Sequence, residues 1–202
     1  MSLQIYKPNS KNTGAACTIS LTNDNKSGAP VCYLSAIAQY SWDDSKKTGS
    51  FAGNAKNPDK TINIKINEIE AGDFISAFTH RYDHTAFHAY EGSTTTIKIS
   101  PWDKSVKVSK YNSSSKKYED QHISVPAFGL TLSKGKGNSI KVALDPGEVE
   151  NLKSFLSLFI QENIKFKIEL NKKYAQNTKK SNSRKPDPVE EDDFDEFADA
   201  PF

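Results

Sequence analysis

The chain is poor in sulfur: its 202 residues include two Cys, Cys17 and Cys32, and one Met. Two cysteines make no disulfide framework, and neither has the close Cys partner of a zinc ribbon. No apolar run approaches the roughly 18 residues of a membrane helix, so no membrane partner is expected. The opening stretch MSLQIYKPNS lacks the apolar segment of a signal peptide, and a reducing, cytoplasmic setting is expected. Walker and dinucleotide-binding glycine patterns are missing. No Ser/His/Asp set and no carboxylate pair can be assembled, so no catalytic residue and no cofactor is expected and an enzyme is not indicated. His80, His84 and His88 are spaced by four, with Asp83 among them. On one helix His80 and His84 could share a zinc. The apolar helical spacing stops near residue 80, however, so solvated or stacking histidines are expected and no metal.

What the chain does have is an uneven charge distribution. The net charge is only +2, but residues 187–202 hold 8 acidic groups and no base, leaving 17 acidic against 27 basic groups before them. Residues 165–186, KFKIELNKKYAQNTKKSNSRKP, hold 8 bases and 1 acid. A mildly basic body, a strongly basic linker and an acidic tip ending in Pro-Phe point to an electrostatic partner and an interaction tail.

Two segments look alike. INIKINEIEAGDFISAF at 62–78 and IKVALDPGEVENLKSFLSLF at 140–159 both pass from strand alternation to helical spacing. Ile62, Ile64 and Ile66 correspond to Ile140, Val142 and Leu144. Asn67 with Glu70, and Asp145 with Glu148 behind Pro146, are capping-box signatures. The helices are expected to bury Ile69, Phe74 and Phe78, then Val149, Leu152, Leu156 and Phe159. The caps and the pairs Phe74/Leu152 and Phe78/Leu156 are offset by 78 residues, which predicts a duplication: several strands and then a helix, twice. YLSAIAQYSWDD and TTTIKISPWDK extend the correspondence, each ending in a Trp-Asp pair, Trp42-Asp43 and Trp102-Asp103. NSSSKK reads as a hairpin tip or loop. The second helix is expected to run to about residue 175, where low hydrophobicity predicts a disordered continuation.

The fold class expected is therefore α+β: two pseudo-symmetric, strand-rich repeats at about 15–82 and 85–165, each ending in a helix, with a disordered C-terminal tail. Residues 1–170 form the domain, 171–186 a basic linker and 187–202 an acidic partner-binding tail.

The strings IKI at 64–66 and 97–99, VKV at 106–108 and IKV at 140–142 share one form. Their aliphatics should face the helices, leaving Lys65, Lys98, Lys107 and Lys141 on one side of a sheet. Aromatics are interleaved: Tyr40, Trp42, Phe87, Tyr90, Trp102, Tyr111, Tyr118 and Phe128. Parity puts Tyr33 with Ser35 and Gln39 on one face of its strand. Tyr40 and Trp42 fall on the face of Leu34 and Ala36, where at least one is a core candidate. Lysines neutralise phosphates while rings stack on unpaired bases, which is how proteins hold single-stranded nucleic acid without reading its sequence. The turn KGKGNS at 134–139 could cradle a phosphate with its backbone, Lys134 and Lys136; it is equally a plain hairpin turn.

A duplicated unit of strands and a helix, with basic and aromatic strands, resembles the Whirly family and the related positive-cofactor-four coactivator domain, over roughly residues 15–165. The resemblance rests on INIKINEIEAGDF and IKVALDPGEVENLKSF. It implies antiparallel sheets backed by helices, single-stranded-DNA binding with little sequence preference and homo-oligomers. The Lys-Gly-Lys-Ala motif of Whirly proteins is not found on an early strand; KGKG lies late, and that motif's role is not carried over. The tip DDFDEFADAPF is similar to the ends of bacterial and phage single-stranded-DNA-binding proteins. It implies docking on replication or repair enzymes through Asp192, Asp193, Phe194, Phe197, Asp199, Pro201 and Phe202. The expected function is a single-stranded-DNA-binding protein for replication, recombination or repair, encoded by a phage or mobile element and then acting in the host cytoplasm. Its DNA-binding residues would be Lys65, Lys98, Lys107, Lys134, Lys136, Lys141, Tyr33, Tyr40, Trp42, Phe87, Tyr90, Trp102 and Tyr111. The alternatives are a transcriptional cofactor or RNA-binding module on the same fold, or an interaction protein that binds no nucleic acid. Without DNA, the acidic tip is expected to lie over the basic linker or sheet.

Overall fold

The computed structural model describes residues 1–90, 92–135 and 137–182, the side chains of Tyr90, Ser93 and residues 177–182 excepted. Ten strands and two helices follow in order: β1 (Ser2–Lys7), β2 (Ala15–Asn23), β3 (Pro30–Ala38), β4 (Ser41–Asp43), β5 (Thr48–Ser50), β6 (Thr61–Ile66), α1 (Glu68–His80), β7 (His84–Tyr90), β8 (Ser93–Asn112), β9 (Lys117–Lys134), β10 (Asn138–Leu144) and α2 (Pro146–Asn182). Met1–Phe166 form one compact unit; the described part of the second, which begins at Lys167, is the end of α2. The helix thus continues to Asn182, beyond the stop expected near residue 175.

Two antiparallel four-stranded sheets carry the fold, ordered β1-β2-β3-β6 and β10-β9-β8-β7. Each half is four sheet strands and then a helix, and β4 with β5 forms a separate small ribbon in the first half. This topology corrects one expected correspondence. β3 lies between β2 and β6, as β9 lies between β8 and β10, so β3 is the counterpart of β9 and not of β8. Trp42, on β4 of the ribbon, and Trp102, on β8, do not occupy equivalent places. The Ile62/Ile140 offset does match equivalent strands, β6 and β10.

One core joins both halves. Ile62, Ile64 and Ile66 of β6, Ile97 and Ile99 of β8, Leu130 and Leu132 of β9, and Ile140, Val142 and Leu144 of β10 are buried in it. Phe74 and Phe78 enter from α1, and Leu152, Leu156 and Phe159 from α2. Phe78 meets Phe128 edge-on at 5.1 Å between ring centroids, a favoured aromatic geometry. Ile69 is not part of this face: it is 75% exposed, and Ala71 and Ala77 are buried in its stead. The 3–4 spacing that selects Phe74 and Phe78 also selects Ala71, and a methyl side chain lets the helix approach the sheets closely. Cys17 and Cys32 are free thiols in the core, and burial pushes both up to about 12.

The first helix has a complete capping box. Asn67 accepts hydrogen bonds from the Ile69 and Glu70 amides at 2.9 Å, and Glu70 Oε2 accepts from the Asn67 amide at 3.0 Å. Arg81, with φ 57°, ends the helix in the left-handed region. The second box is only half made. Glu148 Oε2 accepts from the Asp145 amide at 2.7 Å, but the Asp145 carboxylate accepts from Lys7 Nζ at 2.8 Å and Lys104 Nζ at 2.6 Å. Lys7 Nζ also reaches Glu148 Oε1 at 2.7 Å. Asp145 thereby ties β1 and β8 to the start of α2. The Lys104 ammonium, and then that of Lys7, holds its carboxyl below the usual value. Burial opposes charge on Lys7, but its hydrogen bonds to Asp145 and Glu148 prevail and raise its pKa.

A depressed carboxylate contributes stability above its unfolded pKa of about 3.9 and loses that contribution as pH falls through the folded value. The urea midpoint of the parent should therefore drop on acidification below about pH 4 more steeply than that of Asp145→Asn. Superimposable pH profiles would show that this cluster contributes nothing to acid stability.

Candidate nucleic-acid interface

Register decides which side chains share the outer faces. In the first sheet Ser20 pairs with Tyr33 and Tyr33 with Lys65. A ring and an ammonium group therefore stand side by side on adjacent strands, on the face away from the core. In the second sheet Thr85 pairs with Lys98, Lys98 with Thr131 and Thr131 with Lys141. Lys98 and Lys141 thus occupy one cross-strand row, two strands or about 10 Å apart. The next row is Phe87, Thr96, Ser133 and Ser139, and Phe87 is 71% exposed. On the other side of the lysine row, Gly129 opens room: its missing Cβ would lie 3.2 Å from Lys141 Cε.

Between the edge strands β6 and β7 runs an open crevice of about 1530 Å³, whose walls include Tyr33, Asn63, Lys65, Phe87, Thr95 and Lys134. It brings together four of the residues singled out from sequence: Tyr33, Lys65, Phe87 and Lys134. Three carboxylates, Asp24, Glu68 and Glu70, also line it. Asp24 caps its own turn through the Ser27 amide and hydroxyl and the Lys26 amide, and the Ser27 bonds lead in holding its carboxyl low. Glu70 is shared between the helix cap and His88, whose Nε2 lies 2.9 Å from Glu70 Oε1 though outside hydrogen-bond geometry. Glu68 also has a partner. A smaller hollow beside Lys134 is lined by Lys56, Asn57 and Pro58. Asn138 bonds the Pro58 carbonyl across it at 3.4 Å. Lys56, in the loop before β6, is not among the residues singled out from sequence.

The other expected residues are dispersed. Lys107 does not share the face of Lys98. The β8–β9 register runs unbroken from Thr95↔Lys134 to Asn112↔Lys117. Residues 98 and 107 are an odd number apart, so with no bulge their side chains leave opposite faces. VKV at 106–108 also lies beyond the part of β8 backed by helices, and Lys107 Nζ pairs with Asp120 Oδ2 at 2.7 Å. Lys98 lies 3.9 Å from Asp83. The core assignment considered for Tyr40 and Trp42 fails because β3 ends at Ala38. Tyr40 is exposed and rests against Gly53, where a Cβ would meet its ring at 2.5 Å. Trp42 is half-buried, its indole N–H bonded to Asp44 at 3.0 Å. Trp102 is exposed, and its carbonyl accepts from Arg81 Nη2 at 3.4 Å. Tyr111 lies at the far end of β8. His84 and His88 belong to β7, not to a helix; His84 packs on Phe74 and Tyr82. Among the described residues no His/Cys/Asp/Glu group could hold a metal ion. Gly135 and Gly137, with φ of 59° and 107°, form the turn between β9 and β10, a conformation that favours glycine. Lys136, the side chain of Tyr90, and the tip residues Asp192, Asp193, Phe194, Phe197, Asp199, Pro201 and Phe202 lie outside the described residues.

No family model matches the chain, and no curated protein matches it in sequence. Among solved structures its fold is similar to that of WHY1, a Whirly protein, from Arabidopsis thaliana: TM-score 0.50 at 14% identity, covering 94% of this chain and 96% of that one. The plant transcriptional regulator PBF-2 aligns with a TM-score of 0.48 at 14% identity, over 85% of this chain and 86% of that one. The fold is Whirly-like: antiparallel sheets and two helices. No described helix is long and apolar enough to cross a membrane.

The Lys141 stem is a movable neighbour, so a methyl at Gly129 should displace it without disturbing the core. Gly129→Ala should unfold within about 0.5 kcal/mol of the parent, while the Lys141 side-chain NMR signals shift. A loss of several times that stability would place rigid atoms, not the lysine stem, against the added methyl.

Proposed function

We propose that this protein binds single-stranded DNA without reading its sequence, along the crevice between β6 and β7 and the adjoining outer face of the second sheet. The observation that carries this reading is the meeting of Tyr33, Lys65, Phe87 and Lys134 around one open crevice, with Lys98 and Lys141 in one row nearby. Rings there can stack on bases, and ammonium groups can meet phosphates. The shape is an open trough. A role in replication, recombination or repair, a phage or mobile-element source and recruitment of enzymes through residues 187–202 belong to the same proposal. They are supported by the charge layout and by the aromatic residues within the acidic segment. A ring there can fill an apolar pocket while the nearby Asp residues meet basic groups.

Anisotropy of labelled oligo-dT tests the reading directly; neither Trp lines the crevice, so Trp quenching is the poorer signal. Affinity should fall with salt at a logarithmic slope of about −0.7 per phosphate contacted. Tyr33→Ala and Phe87→Ala should each cost about 1–3 kcal/mol of binding. Duplex DNA and RNA should compete less well than single-stranded DNA. No binding at low salt, or both variants binding as the parent does, overturns the reading. Preferential competition by RNA transfers it to RNA, through 2′-hydroxyl contacts. Deleting residues 187–202 should tighten binding at low salt if the acidic tip competes with DNA; unchanged affinity rejects that competition alone.

A further inference from the structure

Beyond the crevice the protein extends a long two-stranded arm. β10 ends opposite Phe128, and β7 begins opposite Ile99. From Trp102↔Ala127 outward, only β8 and β9 pair, until the loop that follows Asn112. Asp103–Asn112 span about 33 Å at roughly 3.3 Å per residue. A free two-stranded ribbon is marginal in water, and the alternation shows how this one is held. Val106 pairs with Ile123 and Lys104 with Val125, which with Val108 make an aliphatic strip on one face. The opposite face carries Ser105 and Ser124, Lys107 and His122, then Ser109 and Asp120. It ends in Tyr111 beside Tyr118.

Those two tyrosines do nothing for the strip on the other face. They are 52% and 75% exposed, with ring centroids 5.4 Å apart at 62°. Residues 104–118 contain five lysines and no acid. Lys104 is engaged with Asp145 and Lys107 with Asp120. Lys110, Lys116 and Lys117 are exposed and have no ion pair among the described residues. The nearest acid, Glu119, is turned into the loop: its oxygens accept from Asn112 Nδ2 at 2.9 Å and Ser115 Oγ at 2.7 Å.

We infer that the arm is a second, separate polynucleotide contact, in which Tyr111 and Tyr118 stack on bases, Lys116 in the connecting loop meets phosphates, and Lys110 and Lys117, whose stems leave the valine face, reach round the ribbon to the same strand. It takes its ligand class from the proposed function but uses none of the crevice residues. The arm reaches nucleotides that the crevice cannot, so it adds affinity only for strands long enough to touch both sites.

The test uses the full chain and labelled oligo-dT of about 10 and about 40 nucleotides. Three variants are compared: Tyr111→Ala with Tyr118→Ala; Lys110→Gln with Lys116→Gln and Lys117→Gln; and an arm shortened by joining the register partners Lys104 and Val125 through an Asn-Gly turn. The tyrosine variant should bind the long strand at least about 5-fold more weakly. The lysine variant should flatten its salt slope by about 2. Binding of the short strand should be unchanged in all three. Parental binding of the long strand by the two point-variant sets overturns the inference and leaves the crevice reading intact. If the shortened chain does not fold, those exposed-residue variants decide alone. A shortened chain of lower light-scattering mass with parental DNA affinity overturns it in favour of the aliphatic strip as a contact with a second copy. Loss in the arm variants beside parental behaviour of Tyr33→Ala and Phe87→Ala overturns the crevice and upholds the arm.

Discussion

Strand parity is the constraint on which the structure depends. Two sheets share one core, so every strand bordering it must send alternate side chains inward and can offer only the others to a ligand. Ile64 and Ile66 cannot be buried without Lys65 facing out, and the same holds for Lys98 between Ile97 and Ile99. Each core strand thus supports packing and function with interleaved halves of its residues. A one-residue slip would exchange the two sets at once. Register therefore places the basic and hydroxyl rows as firmly as it places the core.

Shared carboxylates at the helix starts tie strands to both helices. Glu70 completes the cap of α1 and also approaches His88 of β7, the strand that carries Phe87. Asp145 and Glu148 hold β1 and β8 at the start of α2 through Lys7 and Lys104. Helix starts are where backbone amides lack partners, and an acidic side chain there is favoured by the helix dipole as well. Using the same carboxylates to anchor strands links the position of each helix to the sheets. Asn138 of β10 also bonds the Pro58 carbonyl in the loop before β6.

The repeated strand-to-helix passage was legible in the sequence, because alternation and capping are local. Ile62 to Ile66 and Ile140 to Leu144 declared their strands, and Asn67 with Glu70 declared a helix start that the hydrogen bonds reproduce. The failures involve counting across a boundary. Ile69 is apolar, but it stands five residues before Phe74, off the 3–4 spacing that selects the buried face. Tyr40 seemed to share the parity of Leu34, but parity means nothing after β3 stops at Ala38. The Trp-Asp pairs looked equivalent because the β4–β5 ribbon is an addition that a local comparison cannot detect. Lys107 resembled Lys98 in its triplet, although the odd separation along one unbroken strand sends it the other way. The candidate site was less legible than the fold. Tyr33 meets Lys65 through pairing between β3 and β6, and Lys134 joins them because two sheets converge; neither fact is local to any short string.

The unbroken β8–β9 ladder also limits how the projecting hairpin can vary through evolution. Matched insertions of two residues in each strand would lengthen it while keeping every distal side chain on its present side. Matched insertions of one would preserve all the pairings yet turn Tyr111, Tyr118 and everything between them over to the side of the valines. Hairpin length among descendants should therefore step in even increments per strand, with odd steps accompanied by rewritten tips.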